Sequence, residues 1–210
     1  MYVDSETIHA APARVARAPA LWVVDDFVDD AEIEALLAVF GDEALVEARA
    51  DHFGWDGSGF VAEIAADQHP TLAALMRRIE ATLGRGSALT PTLRFRHYPE
   101  DHGHPPHVDG YTVGEHRLAI TALITLIAAD EGGETRFVAA EPEPVEVAPR
   151  RGRMIAWTST LAGGEDDPAS RHDGAPVRRG AKGVLLAFLY LPTAEHDGAL
   201  DLDAAAGRGA

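Results

Sequence analysis

The hydrophobic period of the chain changes near residue 90, and this change constrains the fold more than any other feature. Before it, two stretches place apolar residues at helical spacing. In DDAEIEALLAVF these residues run from Ile33 to Phe40, after an N-cap at Asp29 or Asp30. In TLAALMRRIEATLG, which follows Pro70, they end at Leu83 and are followed by Gly84. The sequence therefore predicts two amphipathic helices in its first half.

After residue 90 the pattern is that of β-strands. TLRFRHY alternates, so that Arg94, Arg96 and Tyr98 share one face, and LAITALITLIA at 118–128 places Thr121 and Thr125 on one face. Further short apolar runs follow, separated by Gly, Pro and acidic turns, and no helical pattern interrupts them. About seven or eight strands in series predict an antiparallel sandwich or barrel rather than a doubly wound α/β fold.

Length and composition limit the number of domains and the possible partners and location of the protein. At 210 residues the chain is most simply one domain. We expect an N-terminal arm over 1–19, a folded domain over 20–192 and a flexible tail over 193–210. The formal charge of −16 argues against nucleic acid or an anionic membrane as a partner. With no cysteine, no apolar run of membrane-spanning length and no signal-peptide pattern, we expect a cytoplasmic protein. The oligomeric state is not predicted.

Four residues in the second half of the chain suggest a metal site with an adjacent cation. His107 and Asp109 are spaced so that, on or at the end of a strand, both side chains project the same way. His172 lies just before the last apolar run and would supply a second imidazole. Two imidazoles and one carboxylate form the ligand set of a non-haem Fe(II) site with open positions. On spacing alone, His172 fits a loop-capping residue equally well.

Two alternatives concern the neighbouring residues. His102 and His104 fit loop positions, but with His107 they could also form a zinc or cupin-like site. Lys182 directly precedes the apolar run GVLLAFLYLP, so its stem could lie inside a barrel mouth, where a buried ammonium would need a partner. The usual location of a lysine is the surface.

Several motifs in order resemble the iron- and 2-oxoglutarate-dependent dioxygenases, in particular the prolyl 4-hydroxylase-like branch. LRFRHYPEDHGHPPHVDG is similar to the strand of that family that leads into its H-x-D pair. GGETRF, VAPRRGRMIAW and RHDGAPVRRGAK resemble its following segments, and the ten-residue spacing between the last histidine and the lysine is kept. The resemblance covers roughly residues 20–192.

This resemblance implies a double-stranded β-helix, or jelly roll, of mainly β (α+β) class, supported by N-terminal helices. It implies Fe(II) ligation by three residues: His107, Asp109 and His172. Lys182 would bind the 5-carboxylate of 2-oxoglutarate, Tyr98 would line the co-substrate pocket, and Thr125 would lie nearby. O2 would be the oxidant and ascorbate a candidate stimulant. Because related halogenases lack the carboxylate ligand, Asp109 favours hydroxylation or another oxidation.

The implied activity is hydroxylation of an unactivated C–H bond with release of succinate and CO2. Peptidyl proline, free amino acids and natural-product intermediates all remain open as substrates. Arg94 and Arg96 could contact an anionic substrate group or pair with acids, and Trp55 and Trp157 could stack a substrate or pack in the protein. Two other classes of function remain: a non-catalytic, cupin-like metal-binding jelly roll, and an iron- or oxygen-responsive modifier of a partner polypeptide.

Overall fold

A computed structural model describes residues 13–41 and 50–192, with the backbone alone at 50–53. This part of the chain contains two α-helices, α1 at Asp30–Gly41 and α2 at Pro70–Leu83, and fifteen strands. The strands are β1 Ala13–Ala16, β2 Leu21–Val24, β3 Ala50–Trp55, β4 Phe60–Ala65, β5 Thr92–Tyr98, β6 His104–His107, β7 Thr112–Val113, β8 His116–Ile127, β9 Glu131–Gly132, β10 Thr135–Phe137, β11 Val145–Val147, β12 Met154–Thr158, β13 His172–Gly174, β14 Val177–Arg179 and β15 Lys182–Pro192.

The strands form two principal sheets. The major sheet has nine strands in the order β1-β2-β12-β8-β15-β5-β4-β3, with β7 paired to β8. The minor sheet has four strands in the order β11-β10-β13-β6, and β14 pairs separately with β9. All of these pairings are antiparallel. The architecture is therefore mainly β with two helices and jelly-roll-like sheets, as predicted.

Strands β8 and β15 are buried on both faces, which explains their almost continuous apolar sequences. On the outer face, Ile124 and Leu185 belong to the large core that also contains the buried residues of both helices. On the inner face, which looks toward the minor sheet, Leu123 and Val184 belong to a second and smaller core. The helices therefore support the back of the major sheet and leave its inner face for the site.

Both predicted helices are present, and their ends follow from local hydrogen bonds. Asp29 is the N-cap of α1, because its carboxylate accepts from the Glu32 amide while the Glu32 carboxylate accepts from the Asp29 amide. Helix α2 begins after His69 and ends at Gly84, which takes the left-handed conformation with φ 63°. No helix among the described residues is long and apolar enough to span a membrane.

Two details differ from the sequence analysis. Eleven strands, β5 to β15, follow residue 90 where seven or eight were expected, because pieces of two or three residues such as β7 and β9 have no sequence period of their own. Within the predicted arm, Ala13–Ala16 pairs with β2 at the edge of the major sheet. Residues 1–12 and the predicted tail at 193–210 lie outside the described residues.

Candidate active site

The three predicted metal ligands meet at one end of the minor sheet. His107 ends β6, His172 begins β13, and the two are directly paired in the sheet. Asp109 follows β6 by two residues. His107 Nε2 lies 3.3 Å from Asp109 Oδ1, and His172 Nε2 lies 3.9 Å from Asp109 Oδ2. One ligand atom from each residue lies within 4.8 Å of the others, so the three side chains can share one cation.

Backbone carbonyls select the tautomer of each histidine. The Nδ1 of His107 is 2.9 Å from the Pro105 carbonyl oxygen, and the Nδ1 of His172 is 2.9 Å from the Ser170 carbonyl oxygen. Because a carbonyl only accepts, each Nδ1 carries a proton, and each Nε2, directed toward Asp109, is the nitrogen available to a metal. This arrangement is typical of metal-binding imidazoles, in which a hydrogen bond at one nitrogen orients the other.

Asp109 is held in its ionised form. It is buried, and Thr121 Oγ1 donates to its Oδ2 at 2.8 Å, while Ser159 Oγ lies 3.3 Å from the same threonine oxygen. Burial alone would raise the pKa of Asp109, but the hydrogen bond with His107, the charge of the nearby imidazoles and the Thr121 hydroxyl lower it. Burial lowers the pKa of His172 and favours the neutral imidazole, the form that binds metal.

Trp157 packs behind the His172 ring and does not face a substrate. Its ring centroid is 4.7 Å from that of His172, Phe137 packs at 5.5 Å, and Trp157 is fully buried. These contacts limit rotation of the imidazole. Trp55, by contrast, is 53% exposed and contacts the edge of His102.

The rival histidine cluster is not assembled in the described residues. The group able to hold a cation there consists of His107, Asp109 and His172. His102 directs Nδ1 to the Glu100 carbonyl oxygen at 2.8 Å. The His104 ring is 4.6 Å from that of His107, but its Nδ1 is 3.2 Å from Ser58 Oγ. Burial, with a smaller contribution from Arg96, lowers the pKa of His104 to about 4.

A cavity opens beside the triad, between the inner face of the major sheet and the minor sheet. It is open to solvent at its mouth, and the space in which a water-sized molecule can be centred is about 50 Å³. Residues on alternate positions of β5 and β15 form one wall, as the predicted strand faces require. The wall residues on these two strands are Arg94, Arg96, Tyr98, Lys182, Val184, Leu186 and Phe188.

Lys182 lies at one end of this wall and is the only lysine among the 18 lysines and arginines of the chain. It is 4% exposed, and its Nζ is 3.4 Å from Thr135 Oγ1. Burial lowers its pKa to about 8, with a weaker opposing effect of Glu134. A buried ammonium with a neutral hydroxyl as its hydrogen-bond partner favours an incoming anion.

The GGET segment forms the lining around this lysine. Gly133 has φ 76°, and a Cβ built there would lie 3.3 Å from Lys182 Cδ, so the absent side chain leaves room for the lysine stem. Thr135, two residues later, contacts the ammonium. Gly133 and Thr135 were not among the predicted site residues, although their place in the GGETRF motif indicated a role in the site.

The other predicted co-substrate residues lie as follows. Tyr98 is paired with Lys182 across the β5–β15 ladder and lines the cavity. Thr125 is buried and paired with Val184, but it is not among the cavity-lining residues. Thr135 therefore lies beside Lys182, where Thr125 was expected, while Thr121 supports Asp109.

The two arginines of β5 are inside the cavity and are paired with acids. Arg94 Nε is 2.5 Å from Glu63 Oε1 on β4, its partner in the sheet. Arg96 is 2.6 Å from Asp56 Oδ2 and donates to Ser58 Oγ at 3.1 Å. Asp56 and Ser58 belong to the turn between β3 and β4, so this turn reaches the cavity wall.

The residues present fit the groups that the motifs imply. Two imidazoles and a buried carboxylate are a suitable donor set for Fe(II). The buried lysine, with room made by Gly133, is a suitable partner for the distal carboxylate of 2-oxoglutarate.

Comparisons with known proteins agree with this geometry. Residues 93–190 match the family model described as the 2OG-Fe(II) oxygenase superfamily. No curated protein sequence matches the chain. A collagen prolyl hydroxylase of Paramecium Bursaria Chlorella virus-1, in a 2OG complex, has a TM-score of 0.67 at 16% identity over 84% of this chain and 98% of that chain.

Two further structures show the range of chemistry on this fold. A prolyl-4-hydroxylase from Pseudomonas putida has a TM-score of 0.57 at 17% identity, over 80% of this chain and 91% of that chain. The non-haem alpha-ketoglutarate-dependent carbocyclase SnoK from nogalamycin biosynthesis has a TM-score of 0.55 at 14% identity, over 83% and 80%. At these identities the likeness shows the fold alone.

Proposed function

We propose that this chain, whose residues 93–190 match the family model of the 2OG-Fe(II) oxygenase superfamily, is an oxygenase of that superfamily and hydroxylates an unactivated C–H bond of a small-molecule or peptidyl substrate. Fe(II) and 2-oxoglutarate are the cofactor and co-substrate that the family and the His-Asp-His triad imply. O2 is the proposed oxidant, ascorbate is a proposed stimulant, and succinate and CO2 are the proposed co-products.

One observation carries the proposal: a complete triad and the buried lysine line the same cavity. A metal-binding protein without catalysis would need the triad. It would have no use for a desolvated ammonium in the same cavity, which costs folding free energy unless a ligand anion pairs with it.

When bound, Fe(II) and 2-oxoglutarate supply the oxidising chemistry. The protein supplies position and electrostatics. His107, Asp109 and His172 would hold the metal through two imidazole nitrogens and one carboxylate oxygen. The carbonyl groups of Pro105 and Ser170 hold both imidazoles in the ligating tautomer, and Thr121 orients the carboxylate.

Lys182 orients the co-substrate. Its ammonium would bind the distal carboxylate, while the hydroxyl of Thr135 and the ring of Tyr98 close that end of the cavity. Aliphatic side chains at Leu123, Val184 and Leu186 exclude water between the two ends, which strengthens the ion pair.

The presence of Asp109 supports hydroxylation over halogenation. A buried, ionised carboxylate occupies the position that halogenases of the related group leave for halide. The identity of the substrate is less restricted, since solved structures of similar fold include both prolyl hydroxylases and a carbocyclase. The cytoplasmic location and the absence of nucleic-acid and membrane partners stay predictions.

The test has two stages. Anaerobic addition of Fe(II) and 2-oxoglutarate should produce the visible charge-transfer band of the chelate, and admission of O2 should then release succinate. Stimulation of succinate release by small molecules, or by proline-containing peptides, separates a metabolite hydroxylase from a protein modifier. A band without succinate under any of these conditions would favour the non-catalytic, cupin-like alternative.

A further inference from the structure

We infer that Arg94, Tyr111 and Phe188 form the subsite for the primary substrate, and that this substrate is a small carboxylic acid whose apolar body lies on the two aromatic rings. The inference rests on the proposed function and names the substrate class of the same site. It is carried by the position, the pairing and the apolar surroundings of Arg94.

The position of the subsite is next to the metal. Phe188 is paired in the sheet with Thr121, and Thr121 donates to Asp109. The guanidinium carbon of Arg94 lies 4.9 Å from the centre of the Phe188 ring and 5.8 Å from that of Tyr111. A group bound to Arg94 and lying against these rings would therefore be on the same face of the sheet as Thr121 and near the carboxylate ligand.

The subsite is separate from the proposed co-substrate end. Along the β5–β15 ladder, Lys182 is opposite Tyr98, whereas Arg94 is opposite Leu186, four residues further along β15. All four side chains line the cavity. Two cations on neighbouring strands of one sheet face, divided by aliphatic residues, suit two different anions better than one dicarboxylate.

The pairing of Arg94 leaves donors for a ligand. A guanidinium has five N–H donors in a fixed plane, and the one at Nε is directed to Glu63. Burial would lower the pKa of Arg94, but Glu63 and a hydrogen bond with Tyr111 raise it, so the side chain stays charged. Arg96 differs, because Asp56 and Ser58 engage both of its Nη groups.

The surroundings suit an apolar body. Tyr111 and Phe188 contact each other edge to face at 5.5 Å, and Leu123 and Leu186 complete this part of the lining. Phe188 is buried, whereas Tyr111 is 39% exposed and stands at the rim. A ligand would thus meet a buried ring near the metal and a second ring at the entrance, with Arg94 over both.

The test compares two probes that differ in charge but little in shape: 3-phenylpropionate and 3-phenylpropionamide. Each is titrated calorimetrically into the anaerobic protein loaded with Fe(II) and 2-oxoglutarate. We expect the wild-type protein to bind the carboxylate at least about tenfold more tightly than the amide, as for a hydrogen-bonded charge. The double variant Arg94→Gln/Glu63→Gln should lose this preference.

The double variant removes the cation without leaving Glu63 unpaired, and its charge-transfer band with 2-oxoglutarate reports that the site is intact. Arg77→Gln, on the exposed face of α2, is the matched control and should keep the preference. Equal binding of the probes by the wild type, binding of neither, or a preference that survives in the double variant would each overturn the inference. Loss of the band in the wild type would contradict the proposed function instead.

Discussion

The two ends of the cavity wall differ in how their buried cations are paired. At one end, Lys182 is almost fully buried, and its ammonium donates to the neutral hydroxyl of Thr135. At the other end, Arg94 and Arg96 are paired with Glu63 and Asp56. The physical difference is that the arginines carry their counter-ions within the fold, whereas the lysine depends on a ligand for one.

This difference has a consequence for binding. An arginine already paired with an acid keeps its position and its charge in the free protein, so it can select a ligand by shape. A lysine without a carboxylate partner has a lowered pKa, and the ligand that neutralises it gains most of the ion-pair energy. Mutations and pH should therefore affect the two ends unequally.

The largest loss of activity is expected for variants of the triad, because both ends of the cavity depend on the metal that the triad would hold. Asp109→Ala should abolish substrate oxidation and weaken Fe(II) binding, because it removes the charged ligand that Thr121 orients. His107→Ala and His172→Ala should do the same. Metal content after dialysis and succinate release measure this. His102→Ala and His104→Ala are the controls and should keep activity to within about tenfold; equal metal loss in His104→Ala would mean that the triad is misassigned.

The second-largest effect is expected on 2-oxoglutarate binding, and it distinguishes the lysine end of the cavity wall from the arginine end. Lys182→Ala should weaken 2-oxoglutarate binding on the order of 30-fold or more, since loss of one partner of a desolvated charge pair costs about 2–5 kcal/mol. Iron affinity should change little. Anaerobic titration of the charge-transfer band measures the midpoint, and Lys182→Arg should restore it only in part. An unchanged midpoint in Lys182→Ala would assign the distal carboxylate to Arg94, Arg96 or Arg117.

The pH dependence should come from the lysine end. With a pKa of about 8 in the free protein, Lys182 is protonated below that pH and loses its charge above it. Because the carboxylate binds the charged form, the affinity for 2-oxoglutarate should be constant below about pH 7 and fall about tenfold between about pH 7 and pH 9. The Lys182→Arg variant keeps its charge and should show a flat profile; a parallel fall in that variant would exclude the lysine as the cause.

The smallest effect tests the neutral partner of the lysine. Thr135→Val should weaken 2-oxoglutarate binding about threefold to tenfold, as expected for one neutral hydrogen bond, whereas Thr125→Val should have less effect. Both replacements keep the volume of the side chain. The same band titration decides between them, and a larger loss in Thr125→Val would return that residue to the role expected from the sequence.

Much of the secondary structure of this protein could be predicted from local sequence patterns. The helices, the change to strand period and the shared face of Arg94, Arg96 and Tyr98 follow from spacing, because side-chain direction repeats every 3.6 residues in a helix and every two in a strand. The triad and Lys182 were selected by residue type together with motif order. Their convergence in one cavity agrees with that selection, although the role of each residue stays a prediction until it is measured.

Only the tertiary structure decided which side chains support that chemistry. Thr135 lies beside Lys182 because the minor sheet faces the major sheet, and Thr121 lies beside Asp109 because the loop after β6 packs against β8. The pairing of Arg94 with Glu63 comes from the register between β4 and β5, and a single strand carries no information about its register with a partner. Sequence thus determined the chemical groups and the strand faces, while sheet packing and strand register determined which groups meet.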